Sequence, residues 1–198
     1  MWKRSKRSKT TSIVTALVTA NGSFRLEREW VDYGEDEGLG RGPDDTFQEE
    51  MAEVIVKHRR GLVIGRGGTG KSHLIKLLRP KFKALGYKVM CIAFTHVAVA
   101  NVNNVEYPAY TILHLLHQFV GNKRNKKKYA IIVDECSMVP LSMWSALLNV
   151  TFTGHTLVAL GDPHGQFAPI EDQHRMEQWE GLWDSRFMRD LCGCLRIT

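Results

Sequence analysis

Residues 65–72 constrain the fold of this chain more than any other segment. They read Gly-Arg-Gly-Gly-Thr-Gly-Lys-Ser and fit the pattern G-x-x-x-x-G-K-[ST]. A short apolar run, Gly61–Ile64, precedes them, and a helical pattern from Lys71 to about Leu85 follows. Glycines in such a strand–loop–helix unit let backbone N–H groups surround a polyphosphate, and the helix N-terminus adds a positive partial charge. The segment therefore predicts an α/β fold organised around a phosphate-binding loop.

The side chains of this loop predict the ligand that it holds. We expect Lys71 to reach the β- and γ-phosphates of a nucleotide and the Ser72 hydroxyl to ligate Mg²⁺. A chance match in a glycine-rich turn is the alternative, and the strand and helix on either side disfavour it. The candidate cofactor-binding residues of the loop are Gly65, Arg66, Gly67, Gly68, Thr69, Gly70, Lys71 and Ser72.

Strand and helix patterns alternate along the chain after residue 45. The predicted strands are continuously apolar, which is typical of a parallel sheet with helices on both faces. The first helix begins at Asp45 or Thr46, which are plausible caps. We predict strands at 61–64, 88–94, 129–133 and 156–160, and helices at 46–56, 71–85, 97–102, 110–120 and 141–150.

The N-terminal 45 residues have a different composition from the rest. Residues 1–12 hold five Lys or Arg and read as a basic tail. Residues 13–31 predict a β-hairpin, because Asn21-Gly22 favours a tight two-residue turn between two runs of strand-forming residues. Residues 32–45 are acidic and glycine-rich, as in linkers. We therefore divide the chain into a tail at 1–12, a hairpin and linker at 13–45, and one domain at 46–198.

Two adjacent carboxylates end the third strand of this domain. Ile131-Ile132-Val133 leads directly into Asp134 and Glu135. The carboxyl ends of parallel strands open at the ligand crevice of an α/β sheet. We expect Asp134 to hold Mg²⁺ and Glu135 to activate the attacking water as a general base. An ordinary solvated strand end is the alternative.

A third polar motif follows the fourth strand, where residues 160–170 read Leu-Gly-Asp-Pro-His-Gly-Gln-Phe-Ala-Pro-Ile. Together with the phosphate loop and Asp-Glu-Cys-Ser-Met-Val at 134–139, it resembles the first RecA-like domain of superfamily 1 helicases of the RecD/PIF-like and viral type. The family pattern G-D-x-x-Q-[LF]-x-P is one residue shorter than the spacing from Asp162 to Gln166. The resemblance covers residues 46–198. It implies a P-loop NTPase (RecA-like) fold that uses ATP and Mg²⁺.

The resemblance also implies roles for residues outside the loop. Gln166 would sense the γ-phosphate and couple hydrolysis to movement of the nucleic acid, with Asp162 in support. Gln48 occupies the position of an adenine-reading glutamine, although it could equally be a surface residue of an amphipathic helix.

Two further segments resemble family motifs that contact single-stranded DNA. Thr95 and His96 follow the second strand, and Thr111 and His114 lie in a T-[IL]-H-x-[LF]-like signature with one extra residue. Helix caps for the two threonines and a core position for His114 are the alternatives. The net charge of +6 suits a nucleic-acid partner, and single-stranded DNA is expected in preference to RNA. The basic run at 123–128 could equally be a solvated loop.

Superfamily 1 enzymes act through two RecA-like domains, and an arginine at the second domain or the junction stabilises transition-state charge. Residues 1–198 contain no second-domain motif, and Arg196 is only a weak stand-in for that arginine. We therefore expect an ATP-hydrolysing domain of a helicase or translocase that needs a second RecA-like domain or subunit and does not unwind alone. The alternatives are a non-catalytic nucleotide-dependent nucleic-acid-binding module, a truncated helicase remnant and, least favoured, another P-loop enzyme such as a kinase.

The sequence also predicts the cellular location of the protein. No apolar run approaches the roughly 20 residues that span a bilayer, and the N-terminus makes a poor secretory signal. Four cysteines in a chain of this length do not form a disulfide framework. We expect an intracellular protein without a membrane partner, and the basic tail leaves import into the nucleus open.

Overall fold

The fold is described from a computed structural model of the chain. It describes residues 14–18, 24–28, 31–33, 45–120, 127–152, 154–165, 168–169, 178–193 and 195–197. Within these ranges, no helix has the length and apolarity needed to cross a membrane.

Strands and helices alternate through the described chain. The strands are β1 (Val14–Val18), β2 (Phe24–Arg28), β3 (Val31–Tyr33), β4 (Gly61–Ile64), β5 (Lys88–Ala93), β6 (Ala109–Thr111), β7 (Tyr129–Asp134), β8 (Thr156–Gly161) and β9 (Leu195–Ile197). The helices are α1 (Asp45–His58), α2 (Lys71–Ala84), α3 (His96–Val102), α4 (Ile112–Val120), α5 (Leu141–Phe152) and α6 (Arg186–Leu191), with a 3₁₀ turn at Cys136–Met138.

Seven strands form one parallel sheet in the order β3-β9-β4-β8-β7-β5-β6. Ile64 at the end of β4 is in register with Gly161 at the end of β8, and Asp134 at the end of β7 is in register with Ala93 of β5. The carboxyl ends of β4, β8, β7 and β5 therefore meet at one edge of the sheet. The phosphate loop after β4, the Asp134–Glu135 pair at the end of β7 and the third motif after β8 lie at this edge.

Helices cover both faces of the sheet, as the apolar strands predicted. One core joins the sheet to α4, α5 and α6, and the other joins it to α1, α2 and α3. Successive strand residues alternate between the two cores: Leu62 and Ile131 belong to the first, Val63 and Ile132 to the second. The predicted α/β RecA-like architecture is thus confirmed.

The N-terminal hairpin is present but shorter than predicted. β1 and β2 pair antiparallel, with Val18 opposite Phe24, and the predicted turn at Asn21-Gly22 lies outside the described residues. Val31–Tyr33, which we had divided between the hairpin and the linker, instead forms the edge strand of the large sheet beside β9. This pairing satisfies the backbone groups of β9 that would otherwise be left at the edge of the sheet.

The prediction of helix from residue 110 was also wrong at its start. Tyr110 and Thr111 belong to β6, in register with Ile92 and Ala93 of β5. A β-branched residue next to an aromatic suits a strand, and the helical pattern begins only at Ile112. Thr111 then caps α4, because its Oγ1 accepts a hydrogen bond of 3.3 Å from the His114 backbone N–H.

Candidate nucleotide-binding site

The phosphate loop leaves β4 and enters α2 with its backbone tied to the neighbouring strand. The Gly65 N–H donates to the Gly161 carbonyl over 3.1 Å, so the sheet pairing of β4 with β8 continues into the loop. Gly70 precedes α2 at a φ of 86°, a left-handed conformation that favours glycine. The loop therefore has a defined start and end, and Arg66, Gly67, Gly68 and Thr69 between them are exposed.

Gln48 of α1 packs against this loop. Its side chain is 6% exposed, and its Nε2 donates to the Thr69 carbonyl over 3.4 Å. A Cβ at Gly70 would displace Nε2 of Gln48, and the positive φ there also favours glycine. The alternative that Gln48 is a surface residue is wrong. Gln48 lies at the phosphate loop, and its role in reading adenine stays a prediction.

The Lys71 ammonium lies over the loop that precedes it. Nζ donates to the carbonyls of Gly65 and Arg66, the latter over 2.8 Å. The Thr69 hydroxyl donates to the same Arg66 carbonyl over 2.8 Å. The loop thus concentrates a positive charge at the start of α2, beside the helix N-terminus, which is the electrostatic environment that a polyphosphate needs. Ser72 is exposed in the first turn of that helix.

Asp134 is the buried acid of the site. Its carboxylate accepts a 3.0 Å hydrogen bond from the Glu135 N–H and is 7% exposed. Burial raises the pKa of Asp134, while that hydrogen bond, the Lys71 ammonium and the Arg79 guanidinium oppose the rise. Lys71 and Asp134 therefore interact electrostatically across the site. A carboxylate oxygen and the Ser72 hydroxyl are oxygen donors of the kind that Mg²⁺ prefers.

Glu135 has a strained backbone. It adopts φ 49° and ψ 44°, and within the described chain only Arg59 shares a positive φ without being glycine. Its pKa is raised, first by burial and then by the charge of Asp134. Non-glycine residues in this conformation cluster at functional sites. The positive φ of Glu135 ends the extended backbone of β7 directly after Asp134.

The third motif begins with a tight turn around a buried carboxylate. Asp162 is 4% exposed, and its Oδ1 accepts a 2.8 Å hydrogen bond from the Gly165 N–H. A Cβ at Gly165 would overlap that carboxylate. The residue that is extra relative to the family pattern therefore lies in a turn that glycine closes. Gln166, the predicted γ-phosphate sensor, lies outside the described residues, and its role stays a prediction.

The four residues predicted to contact nucleic acid lie near the ends of β5 and β6. Thr95 caps α3 through a 3.1 Å hydrogen bond from the Ala98 N–H, and Thr111 caps α4. His96 and His114 are exposed. His114 stacks on Tyr110 with ring centroids 4.8 Å apart, so its alternative as a core histidine is wrong. Both threonines act as caps, and contact with nucleic acid remains a prediction.

Arg196 does not lie at the edge that carries the phosphate loop. It is in register with Leu62 of β4, two residues before the end of that strand. Its guanidinium pairs with Asp184 at 2.6 Å. Since its charge is already compensated there, nothing in the geometry favours the role of a transition-state arginine.

Arg79 is the buried charged residue that sequence reasoning missed. It lies on the core side of α2 and is 3% exposed. The only signal available was a basic residue at an apolar position of an amphipathic helix, directly after the buried Leu78. Such a residue usually projects to solvent, so the pattern alone did not single it out.

Comparison with known proteins identifies the family. A family model described as an AAA domain matches residues 45–180, which is more than half of the chain. The chain belongs to this AAA domain family. The match begins at the first residue of α1 and includes the phosphate loop, the Asp134–Glu135 pair and the third motif. These are the elements that carry the resemblance to superfamily 1 helicases, and that resemblance is confirmed.

Two curated relatives resemble parts of this AAA domain. A Sinorhizobium fredii protein described as a probable conjugal transfer protein TraA is 32% identical over 130 residues, covering 64% of this chain and 12% of the relative. The ATP-dependent DNA helicase PIF1 of Trypanosoma brucei brucei is 26% identical over 125 residues, covering 58% of this chain and 14% of the relative. The AAA domain therefore corresponds to a small part of each relative.

A solved structure shares the fold. The crystal structure of Pif1 helicase from Candida albicans superposes with a TM-score of 0.55 at 18% identity. The superposition covers 80% of this chain and 40% of that one. The parallel sheet and helices of this AAA domain thus recur within a larger protein.

Proposed function

We propose that this chain is the ATP-binding and ATP-hydrolysing domain of a nucleic-acid helicase or translocase that acts on single-stranded DNA. The observation that carries the proposal is the convergence of Lys71, Asp134 and Glu135 at one edge of the sheet, with Glu135 in a strained backbone conformation. Family membership and the similarity to the DNA helicase PIF1 of Trypanosoma brucei brucei support the same class of hydrolase.

The roles of the residues follow from their chemistry. Loop amides and the N-terminus of α2 bind the phosphates, and Lys71 exchanges the loop carbonyls for phosphate oxygens. Ser72 and Asp134 would hold Mg²⁺, which would neutralise charge on the phosphates. Glu135 takes a proton from the attacking water, and its raised pKa brings it closer to the pH at which a base is most effective.

The proposed partners are single-stranded DNA and a second RecA-like domain or subunit. His96 and His114 are exposed and Thr95 and Thr111 are half-buried near the ends of β5 and β6. The His114 ring stacks on Tyr110, and stacking on aromatic rings is how single-strand binders hold bases. The second domain supplies the transition-state arginine, for which Arg196 is badly placed. We propose that residues 1–198 alone hydrolyse ATP slowly and do not separate strands.

ATP turnover with and without single-stranded DNA tests this proposal. We expect DNA to stimulate turnover by the purified chain, and Lys71→Ala to abolish both the basal and the stimulated rates. Lys76→Ala is the matched control, because it removes an exposed lysine from the same helix and leaves the rates unchanged. Nucleotide and DNA binding with no turnover above the Lys71→Ala background would instead support a non-catalytic binding module. Strand separation by residues 1–198 would contradict the proposed need for a second domain.

A further inference from the structure

Arg79 carries a buried positive charge on the helix that begins at the phosphate loop. It lies one residue before Pro80 in α2, among the side chains of the core between the sheet and α1–α3. Removing a guanidinium from water is costly unless its donors are satisfied. The buried guanidinium therefore needs hydrogen-bond acceptors within the core.

Those contacts join three elements. Nε and Nη2 of Arg79 donate to the Cys91 sulfur of β5 over 3.2 and 3.1 Å. Nη2 also donates to the carbonyl of Val102, the last residue of α3. The final carbonyls of a helix have no partner within it, and a cation there is favoured by the helix dipole. Arg79 thus ties the phosphate-loop helix to the end of α3.

The connection from α3 to β6 is held by the same side of α2. The Arg79 guanidinium lies 5.5 Å from the centroid of the Tyr107 ring, and Lys83, one turn further along α2, lies 5.6 Å from it. Lys83 also pairs with Glu106 at 2.9 Å. α2 therefore contacts this connection at a buried point and at an exposed one.

The connection is itself cross-linked by hydrogen bonds. The Asn104 side chain accepts from the Tyr107 N–H over 2.7 Å, and the Asn103 side chain accepts from the Ala109 N–H over 2.9 Å. These hydrogen bonds tie the connection at 103–109 to the end of α3 and to the start of β6. Along the chain, this connection lies between Thr95–His96 and Thr111–His114.

We propose that Arg79 is a positioning residue that couples nucleotide binding at the phosphate loop to the two candidate strand-binding segments. A displacement of α2 when the loop closes on phosphate is passed through Arg79 to Val102 and Tyr107, and from there to the segments at 95–96 and 111–114. The inference rests on the proposed function and adds the physical link between its two ligands.

Nucleotide-dependent hydrogen exchange of the full chain tests the link without DNA. Addition of Mg²⁺ with a non-hydrolysable ATP analogue should slow amide exchange in 66–74 and in 96–109 of the unmodified chain. Arg79→Met should keep the protection of 66–74 and lose that of 96–109. Lys83→Met is the control, because it removes only the exposed contacts to the same connection and should retain both protections. Arg79→Lys keeps the charge but has a single donor group, and intermediate protection is expected.

DNA affinity gives the second readout. If nucleotide changes the dissociation constant for single-stranded DNA, the ratio of the constants with and without nucleotide measures the coupling, which commonly lies between about fivefold and 150-fold. Arg79→Met should bring this ratio close to one with the nucleotide affinity changed by less than about twofold. A purely structural role would weaken both ligands together and leave the ratio intact.

The outcomes separate the inference from the function on which it rests. Without nucleotide protection of 66–74 in the unmodified chain, the proposed function itself fails. Protection of 66–74 together with equal protection of 96–109 in the unmodified chain and Arg79→Met would overturn the coupling role and leave the function standing. Both outcomes require that the Arg79→Met variant is folded, which an unchanged cooperative thermal transition would show. If that transition is lost, Arg79→Lys replaces Arg79→Met in the comparison.

Discussion

Glu135 has a backbone conformation that L-residues other than asparagine and aspartate seldom adopt. The strain of φ 49° costs about 1–2 kcal/mol for an ordinary side chain. The neighbouring charge of Asp134 adds a second unfavourable contribution, since it raises the pKa of Glu135. The residue is therefore held at this position by its surroundings at the expense of stability.

This strain predicts a stability difference between two variants that both lack the carboxylate. Glu135→Asn relieves the left-handed strain because asparagine visits that region readily, whereas Glu135→Gln retains it. We expect the free energy of unfolding of Glu135→Asn to exceed that of Glu135→Gln by about 0.5–1 kcal/mol, measured by urea denaturation. Equal stabilities would show that the backbone at residue 135 is unstrained.

A histidine links β7 and β8 where these strands begin, at the edge of the sheet opposite the phosphate loop. His155, directly before β8, is buried, and its Nδ1 accepts a 3.3 Å hydrogen bond from the Tyr129 N–H at the start of β7. The two rings also meet edge to face at 5.3 Å. Burial lowers the pKa of His155 below its ordinary value of 6.5. The neutral form is therefore the one that joins the two strands.

The lowered pKa of His155 predicts an acid-sensitive contribution to stability. Because the unfolded chain binds this proton more readily, the contribution is full above pH 6.5 and falls as the pH drops from 6.5 towards the folded-state value. Asp134 and Glu135 act in the opposite sense at lower pH, since their pKa values are raised. The test is thus the difference in unfolding free energy between the unmodified chain and His155→Gln, whose amide oxygen can replace Nδ1 as acceptor. We expect this difference to shrink as pH falls below 6.5, and a difference independent of pH would contradict the assignment.

Elements with long apolar runs could be predicted from the sequence, and short ones could not. The strands β4, β5, β7 and β8 match their predicted bounds to within a residue, because continuous burial on both faces leaves a clear pattern. The three-residue strands β3, β6 and β9 exist only through pairing with a neighbour, which no local pattern of three residues can specify. That is why residues 31–33 and 110–111 were assigned wrongly.

The sequence predicts which site residues the strand order brings together, but it does not predict the contacts that depend on how the helices pack. Asp134 ends β7, Glu135 follows it, and Lys71 follows the loop after β4, so parallel pairing of β4 and β7 within one sheet brings them to one edge. The contact of Gln48 with Thr69 and that of Arg79 with Val102 depend on how α1 and α3 lie against α2. Such contacts follow from three-dimensional packing, and polar residues on amphipathic helices give little sign of them.

In the whole domain, the phosphate loop and the acidic residues lie at one edge of the sheet, and α2 connects that edge to α1 and α3. α2 begins at the phosphate loop, contacts α1 through the Lys81–Glu53 ion pair and reaches α3 through Arg79. We propose that Lys71 binds phosphate and Glu135 activates water at this edge.

A single-turnover measurement with radiolabelled ATP distinguishes these two roles. With enzyme in excess, we expect Glu135→Gln to bind MgATP with an affinity within about threefold of the unmodified chain and to cleave it at least about 100-fold more slowly, as for loss of a general base. Lys71→Ala should lose binding itself. Cleavage by Glu135→Gln at the rate of the unmodified chain, with binding intact, would show that Glu135 is not the general base.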